Sequence, residues 1–261
     1  MATVKGARAV PSAPPAKGGY GGYGQLDSEN VPDVELGAQD EALDAHMHRQ
    51  LRLGFIRKVY GILTCQLALT TIMCSVLALN GTCRRFVMAT PSLMYIGMFG
   101  SLGVLFALMA YKDQHPLNAQ LLFVWTVMEA YTVGVVCASY TADGQGRIVI
   151  EALVLTLSVF GILTLYTFQS KRDWSFLGAG LSSALWLLIG WSLFSAIFGA
   201  PAGGVYSLLG ALVFSGYIIF DTFLITQKLG YDDHILASVM LYLDLLNLFL
   251  FILRLLSRDQ R

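Results

Sequence analysis

The sequence predicts an all-α integral membrane protein, a bundle of seven transmembrane helices. Three observations carry this. Hydrophobic residues make up 56% of the chain and charged ones only 13%, where soluble domains carry about 25% charged residues. Mean hydropathy is +0.62. The apolar residues also gather into seven runs, each near the roughly 20 residues that cross a hydrocarbon core. Formal net charge is zero, so nothing points to nucleic acid as a partner; the bilayer is the partner the composition implies.

The chain opens differently. "AVPSAPPAKGGYGGYG" is followed by the acidic "LDSENVPDVELGAQDEALD". A Pro/Gly/Ser stretch with few large aliphatics cannot bury enough surface to fold. Residues 1–45 are therefore expected to be a disordered tail, with 46–261 as the membrane domain. No apolar stretch follows Met1, so no cleavable signal peptide is expected. The tail reads most simply as solvated; its tyrosines and Pro11, Pro14 and Pro15 also suit a partner's aromatic groove.

The expected spans are 59–79, 92–111, 117–140, 148–168, 176–198, 205–227 and 234–256. The connections "NGTCRR", "KDQHP", "TADGQG", "QSKRD", "GAPAGG" and "KLGYDD" carry turn or charge signals. The breaks near 199–204 and 230 are the softest, so the last two spans are also compatible with a partly re-entrant hairpin. Arg49, Arg52, Arg57 and Lys58 crowd the entrance of the first span, and Lys112, Lys171, Arg172 and Lys228 fall on the same side. By the positive-inside rule that side, with the N-terminus, is cytosolic. Arg84, Arg85, Arg147, Arg258 and Arg261 fall on the other. Small residues (Gly97, Gly100, Gly103, Gly178, Gly180, Gly210, Gly216) predict close helix approach. Cys65, Cys74, Cys83 and Cys137 show no metal-ligand or disulfide spacing, and the three that lie in apolar segments read as small core residues.

Carboxylates inside the spans carry the functional signal, because intramembrane acids are costly and face polar cavities or partners. Asp221 lies six residues before Gln227 and Asp244 ten after His234. At 1.5 Å per residue both sit in the cytosolic half, roughly 9 and 15 Å in. On antiparallel neighbours they are placed to meet. Two carboxylates in one desolvated site share a proton and titrate as a coupled unit, which suits pH sensing. They also offer hard oxygen ligands to Ca²⁺. The structural alternative is that each Asp bonds neighbouring backbone or pairs with Arg57 or Arg254. Four further acids are candidates for an ion pathway. Glu129 is mid-span, facing either a water-lined path or a Thr or Tyr hydroxyl. Glu151 lies near its span's entrance. Asp232 and Asp233 lie in the last loop, which is either merely solvated or a cation-concentrating vestibule.

Five ordered blocks, "FIRKVYGILTCQLALTT", "HPLNAQLLFVWTVMEAYTVGVV", "LYTFQSKRDWSFLGAGL", "GYIIFDT" and "LYLDLLNLFLFILRLL", resemble the transmembrane Bax-inhibitor motif family and within it the Lifeguard branch. The resemblance covers about residues 50–257. It implies a Golgi or endoplasmic reticulum protein that leaks Ca²⁺ from stores in a pH-dependent way and restrains apoptosis. It implies that Asp221 and Asp244 are the gating pair, and that Asp232 stands where the Golgi group carries an acidic ion-handling residue, typically Glu. A bacterial relative latches its pair with a second-span arginine. The span 92–111 has none, leaving Arg57 or a water for that place. The resemblance implies Ca²⁺ as transported ion rather than a cofactor. Apoptotic regulators, Ca²⁺-release channels and a second copy of the chain are the protein partners it allows.

Other classes fit less well. An intramembrane aspartyl protease needs Gly-x-Gly-Asp, whereas Asp244 sits in "LYLDLL". A seven-span receptor needs Asp-Arg-Tyr and Asn-Pro-x-x-Tyr signatures that the third and last spans lack. No enzyme activity is expected. The rival reading is a non-conducting scaffold in which the Asp pair only holds the fold.

Overall fold

The computed structural model describes residues 33–199 and 203–259. The chain divides after Ala45 into two units. Among the described residues there are eight helices and no strand. They are α1 (Asp33–Leu79), α2 (Gly81–Ala89), α3 (Pro91–Ala110), α4 (Leu117–Ala142), α5 (Gly146–Gln169), α6 (Leu177–Phe198), α7 (Gly204–Gln227) and α8 (His234–Asp259). All but α2 are long and apolar enough to cross a membrane.

Residues 1–32 of the expected tail lie outside the described residues, as do 200–202 in the connection before α7. Residues 33–45 are helical, as the start of α1. Beyond Gly37 the run 38–45, "AQDEALDA", holds no Pro or Gly, and its Ala, Gln, Glu and Leu extend a helix at little cost. The re-entrant alternative for the last spans is not what the chain adopts. α7 and α8 are unbroken over 24 and 26 residues.

Local chemistry sets the breaks. Asn80 ends α1 and starts α2, its Oδ1 accepting from the Thr82 and Cys83 amides at 2.9 and 3.3 Å. The expected loop "NGTCRR" is therefore a capped short helix. Pro91 occupies the first turn of α3, where its missing N–H costs nothing. α6 ends at Gly199 with φ +66°, the left-handed conformation that favours glycine.

α8 is the centre of the bundle, against α7, α5 and α4. Leu241, Tyr242, Leu245, Leu248 and Leu253 on it are all fully buried, as expected of a helix apolar on every side. α3 packs on α4, and α6 on α7. α6 is the outermost element, with Trp186, Leu187 and Phe198 exposed.

The small residues work largely as expected. A methyl added at Gly97 would meet Tyr131 and Thr132 of α4, one at Gly178 would meet Phe220 of α7, and one at Gly216 would press on Leu181 of α6. Gly103 and Gly180 face open space. Gly210 is the tightest, since a methyl there would overlap the Phe251 ring of α8. Gly210→Ala is expected to cost about 1–3 kcal/mol, the usual range for overpacking. Thermal unfolding in detergent micelles reads this out, and Gly103→Ala is the silent control.

Candidate functional site: a buried carboxyl pair

Asp221 on α7 and Asp244 on α8 are each 4% exposed, and the structure brings them together. Their carboxyls lie within hydrogen-bonding range of each other. A carboxylate only accepts, so a bond between them requires one to hold a proton and donate its O–H. Asp244 Oδ2 is buried and receives no hydrogen bond from a donor group among the described residues. Ile218, Thr222, Phe223 and Ile225 of α7 and Leu241, Leu245 and Leu248 of α8 are buried on the same two helices. The Tyr217 hydroxyl lies in electrostatic range of both carboxyls and near Ser182 of α6.

The two arginines proposed as partners stand elsewhere. Among the described residues neither Arg57 nor Arg254 forms an ion pair with these carboxyls. Arg57 is exposed. Arg254 lies ten residues beyond Asp244, about 15 Å along the helix, and its guanidinium rests on the rings of Tyr206 and Phe251 at 6.0 and 5.9 Å. The pair therefore bonds within itself. Two carboxyls supply few of the six to eight oxygens that Ca²⁺ takes. No cluster of three or more metal-ligating side chains occurs among the described residues. The donor set suits a shared proton better than a resident ion.

The connection just beyond the pair is tied down from two sides. Arg52 of α1 donates from Nη1 to the backbone carbonyls of Ile225 (3.3 Å) and Leu229 (2.7 Å), closing the end of α7. Its guanidinium stacks on Tyr231 at 4.7 Å, whose hydroxyl is 3.4 Å from His48 Nδ1. Lys112, after α3, pairs with Asp233 at 3.0 Å. These contacts place the entrance of α1, the α3–α4 connection and the α7–α8 connection at one end, the grouping that the basic residues predicted. Sequence reasoning used Arg52 only as a topology signal and missed its capping role, because a cap 177 residues away leaves no local pattern.

Asp233 nevertheless differs from expectation in being an ion-pair partner, while Asp232 beside it is exposed. The Asp233 carboxylate holds the Lys112 ammonium above its ordinary value of 10.5. A raised lysine gives its stabilisation below that ordinary value and loses it only as pH climbs through the higher folded one. Lys112 thus keeps its charge across about 5–8, the window where histidine titrates. Lys112→Ala is expected to leave any pH response in that window unchanged, as flux or melting profiles taken side by side will show.

Glu129 of α4 is half-buried and lies near Ser101 of α3, whose hydroxyl donates to the Met98 carbonyl at 3.0 Å; this is neither the Thr nor the Tyr partner expected. Glu129 is also in electrostatic range of Tyr242. A polar seam missed in the sequence runs beside it. Gln66 Nε2 donates to Thr126 Oγ1 at 3.1 Å, the Thr70 and Tyr242 hydroxyls bond at 2.7 Å, and Tyr242 meets Trp125 edge-on at 5.4 Å. Isolated Gln and Thr within apolar helices gave no signal of which face they occupy. Glu151 accepts from Arg147 one turn away at 2.7 Å, an exposed i,i+4 pair at the α5 entrance and apart from the other acids.

Comparison with known proteins agrees with this architecture. Residues 52–261 match the family model described as "Inhibitor of apoptosis-promoting Bax1". The chain is 44% identical over 230 residues to the Golgi anti-apoptotic protein of Vaccinia virus (strain Lister), covering 86% of this chain and 92% of that one. It is 43% identical over 234 residues to a BI1-like protein of Arabidopsis thaliana, covering 87% and 90%. Protein lifeguard 4 of Mus musculus is 39% identical over 208 residues, covering 79% and 86%. The chain thus belongs to the Bax1-inhibitor family of membrane proteins.

Proposed function

We propose that this protein is a pH-sensitive Ca²⁺ leak channel of Golgi or endoplasmic reticulum membranes that lowers store Ca²⁺ and so restrains apoptosis. The observation that carries the reading is the Asp221–Asp244 pair, two carboxyls within bonding range, buried between the closely packed spans α7 and α8. While the pair shares a proton it links α7 to α8. When the proton leaves, two adjacent carboxylates repel in a site of low dielectric. The helices loosen and a cation path opens along the acids. The end carrying Arg52, Lys112 and Lys228 faces the cytosol with the N-terminus, as the lysine and arginine bias implies. Restraint of apoptosis is supported by the names of relatives, an anti-apoptotic Golgi protein and Bax inhibitor 1 of Schizosaccharomyces pombe. The chain acts without enzyme chemistry. α8 is unbroken through Asp244, whereas cleavage of a peptide at such a pair needs an opened helix.

The test is Ca²⁺ flux into liposomes holding the purified protein, across about pH 5–8, beside Asp221→Asn and Asp244→Asn. Flux that rises with pH in the wild type and loses its pH dependence in both variants is the expected result. Variants that keep the wild-type profile place the sensor elsewhere. Folded protein passing no Ca²⁺ at any pH overturns the channel and leaves a scaffold that acts through apoptotic or Ca²⁺-channel partners.

A further inference from the structure

Two of the four cysteines, scattered in sequence, meet in the fold. Cys74 of α1 and Cys137 of α4 each lie five residues before the end of their helix, at matched depth on the side away from Arg52. Their thiols are within hydrogen-bonding range of each other. The backbones approach closely here, because Gly134, one turn before Cys137, would bring an added methyl within 3.6 Å of the Cys74 Cα. Both cysteines are free. Both also line one cavity of about 330 Å³ between α1, α4, α5 and α8.

The cavity gives small molecules a route to the thiols. Its walls are mostly apolar, with Leu67, Val149 and Leu153 among them. The hydroxyls of Thr71, Ser75, Thr141 and Thr156 all donate to carbonyls of their own helices. A small neutral solute is therefore admitted more readily than an ion. Cys74 is half-buried, whereas Cys137 is 1% exposed, so Cys74 is the one first reached.

We propose that Cys74 and Cys137 form an oxidisable dithiol that a small neutral peroxide, entering through this cavity, converts to a disulfide joining α1 to α4. The Cys74 thiolate attacks the peroxide O–O bond, hydroxide leaves and takes up the thiol proton, and a sulfenic acid remains. The Cys137 thiol attacks that sulfur, the S–O bond breaks and water departs with the second proton. Two thiols lose two electrons and one hydrogen peroxide becomes two waters. The close backbone approach at Gly134 favours the short Cα separation that a disulfide needs.

The experiment treats the full-length protein in detergent micelles with hydrogen peroxide, blocks the remaining thiols, digests it and maps cross-linked peptides by mass spectrometry. A linkage between the peptides carrying Cys74 and Cys137, lower in mass by two hydrogens and lost in Cys74→Ser and Cys137→Ser, is expected. In Cys137→Ser, Cys74 should be trapped as a sulfenic-acid adduct by dimedone. Exposed Cys65 serves as the reference for oxidation without a partner. Wild type that forms no such linkage while Cys65 oxidises, or that joins Cys74 to another cysteine, overturns the proposal. Because the decisive reading is on wild type, a serine variant that fails to fold does not shelter it.

Discussion

Trp125→Ala is expected to destabilise the bundle by about 3 kcal/mol, the lower end of the range for emptying a large aromatic site. Trp125 is fully buried and meets Tyr242 of the central helix edge-on. In a membrane protein the surrounding lipid is as apolar as the side chain, so transfer from water contributes less than in a soluble core. The void remains, and with it the lost dispersion contacts and the loss of the ring that positions Tyr242. Trp125→Phe keeps an aromatic face and should cost distinctly less. Unfolding of both variants by heat or denaturing detergent gives the comparison, and an alanine variant that melts with wild type would show that α4 and α8 are not held here.

Asp244→Leu is the second large effect. It leaves the Asp221 carboxyl buried without its partner, a loss of about 1–3 kcal/mol. Asp244→Asn keeps a donor facing Asp221 and should be much closer to wild type. The leucine variant gains apolar fit on a leucine-rich helix, so this contrast is a strict one. If leucine stabilises and asparagine does not, the pair is held at a cost to the fold, as expected of a working site rather than of structural glue. If leucine destabilises as stated, the bond between the carboxyls contributes to the fold as well as to the proposed gate.

What the sequence could reveal follows from the range of each interaction. The seven spans are local, each set by a run of some 20 apolar residues, and they were legible throughout. The Glu151–Arg147 pair is one helical turn apart and open to the same reading. The meeting of Asp221 and Asp244 was within reach because one short connection joins their helices. Arg254 was misjudged because a count of charges ignores that ten residues carry a side chain far up a helix. The Arg52 cap, the Gln66–Thr126 and Thr70–Tyr242 bonds and the Cys74–Cys137 contact each join α1 to a later helix. No periodicity encodes such a meeting, since it depends on how whole helices rotate against one another. The helix after Asn80 was hidden by its turn-like composition. The same Asn that signals a loop is also a strong helix cap.

The bond from Arg52 to Leu229 also has a consequence in time. Its two ends are 177 residues apart, and ribosomes add about 5–20 residues per second, so Arg52 waits roughly 9–35 s before its partner exists. The first helix must therefore be threaded and kept available while five more spans are made. Its settling beside the last two spans is a late event of biogenesis, after insertion is complete. A nascent chain halted before residue 229 should hold its opening helix in lipid with that guanidinium still unclaimed.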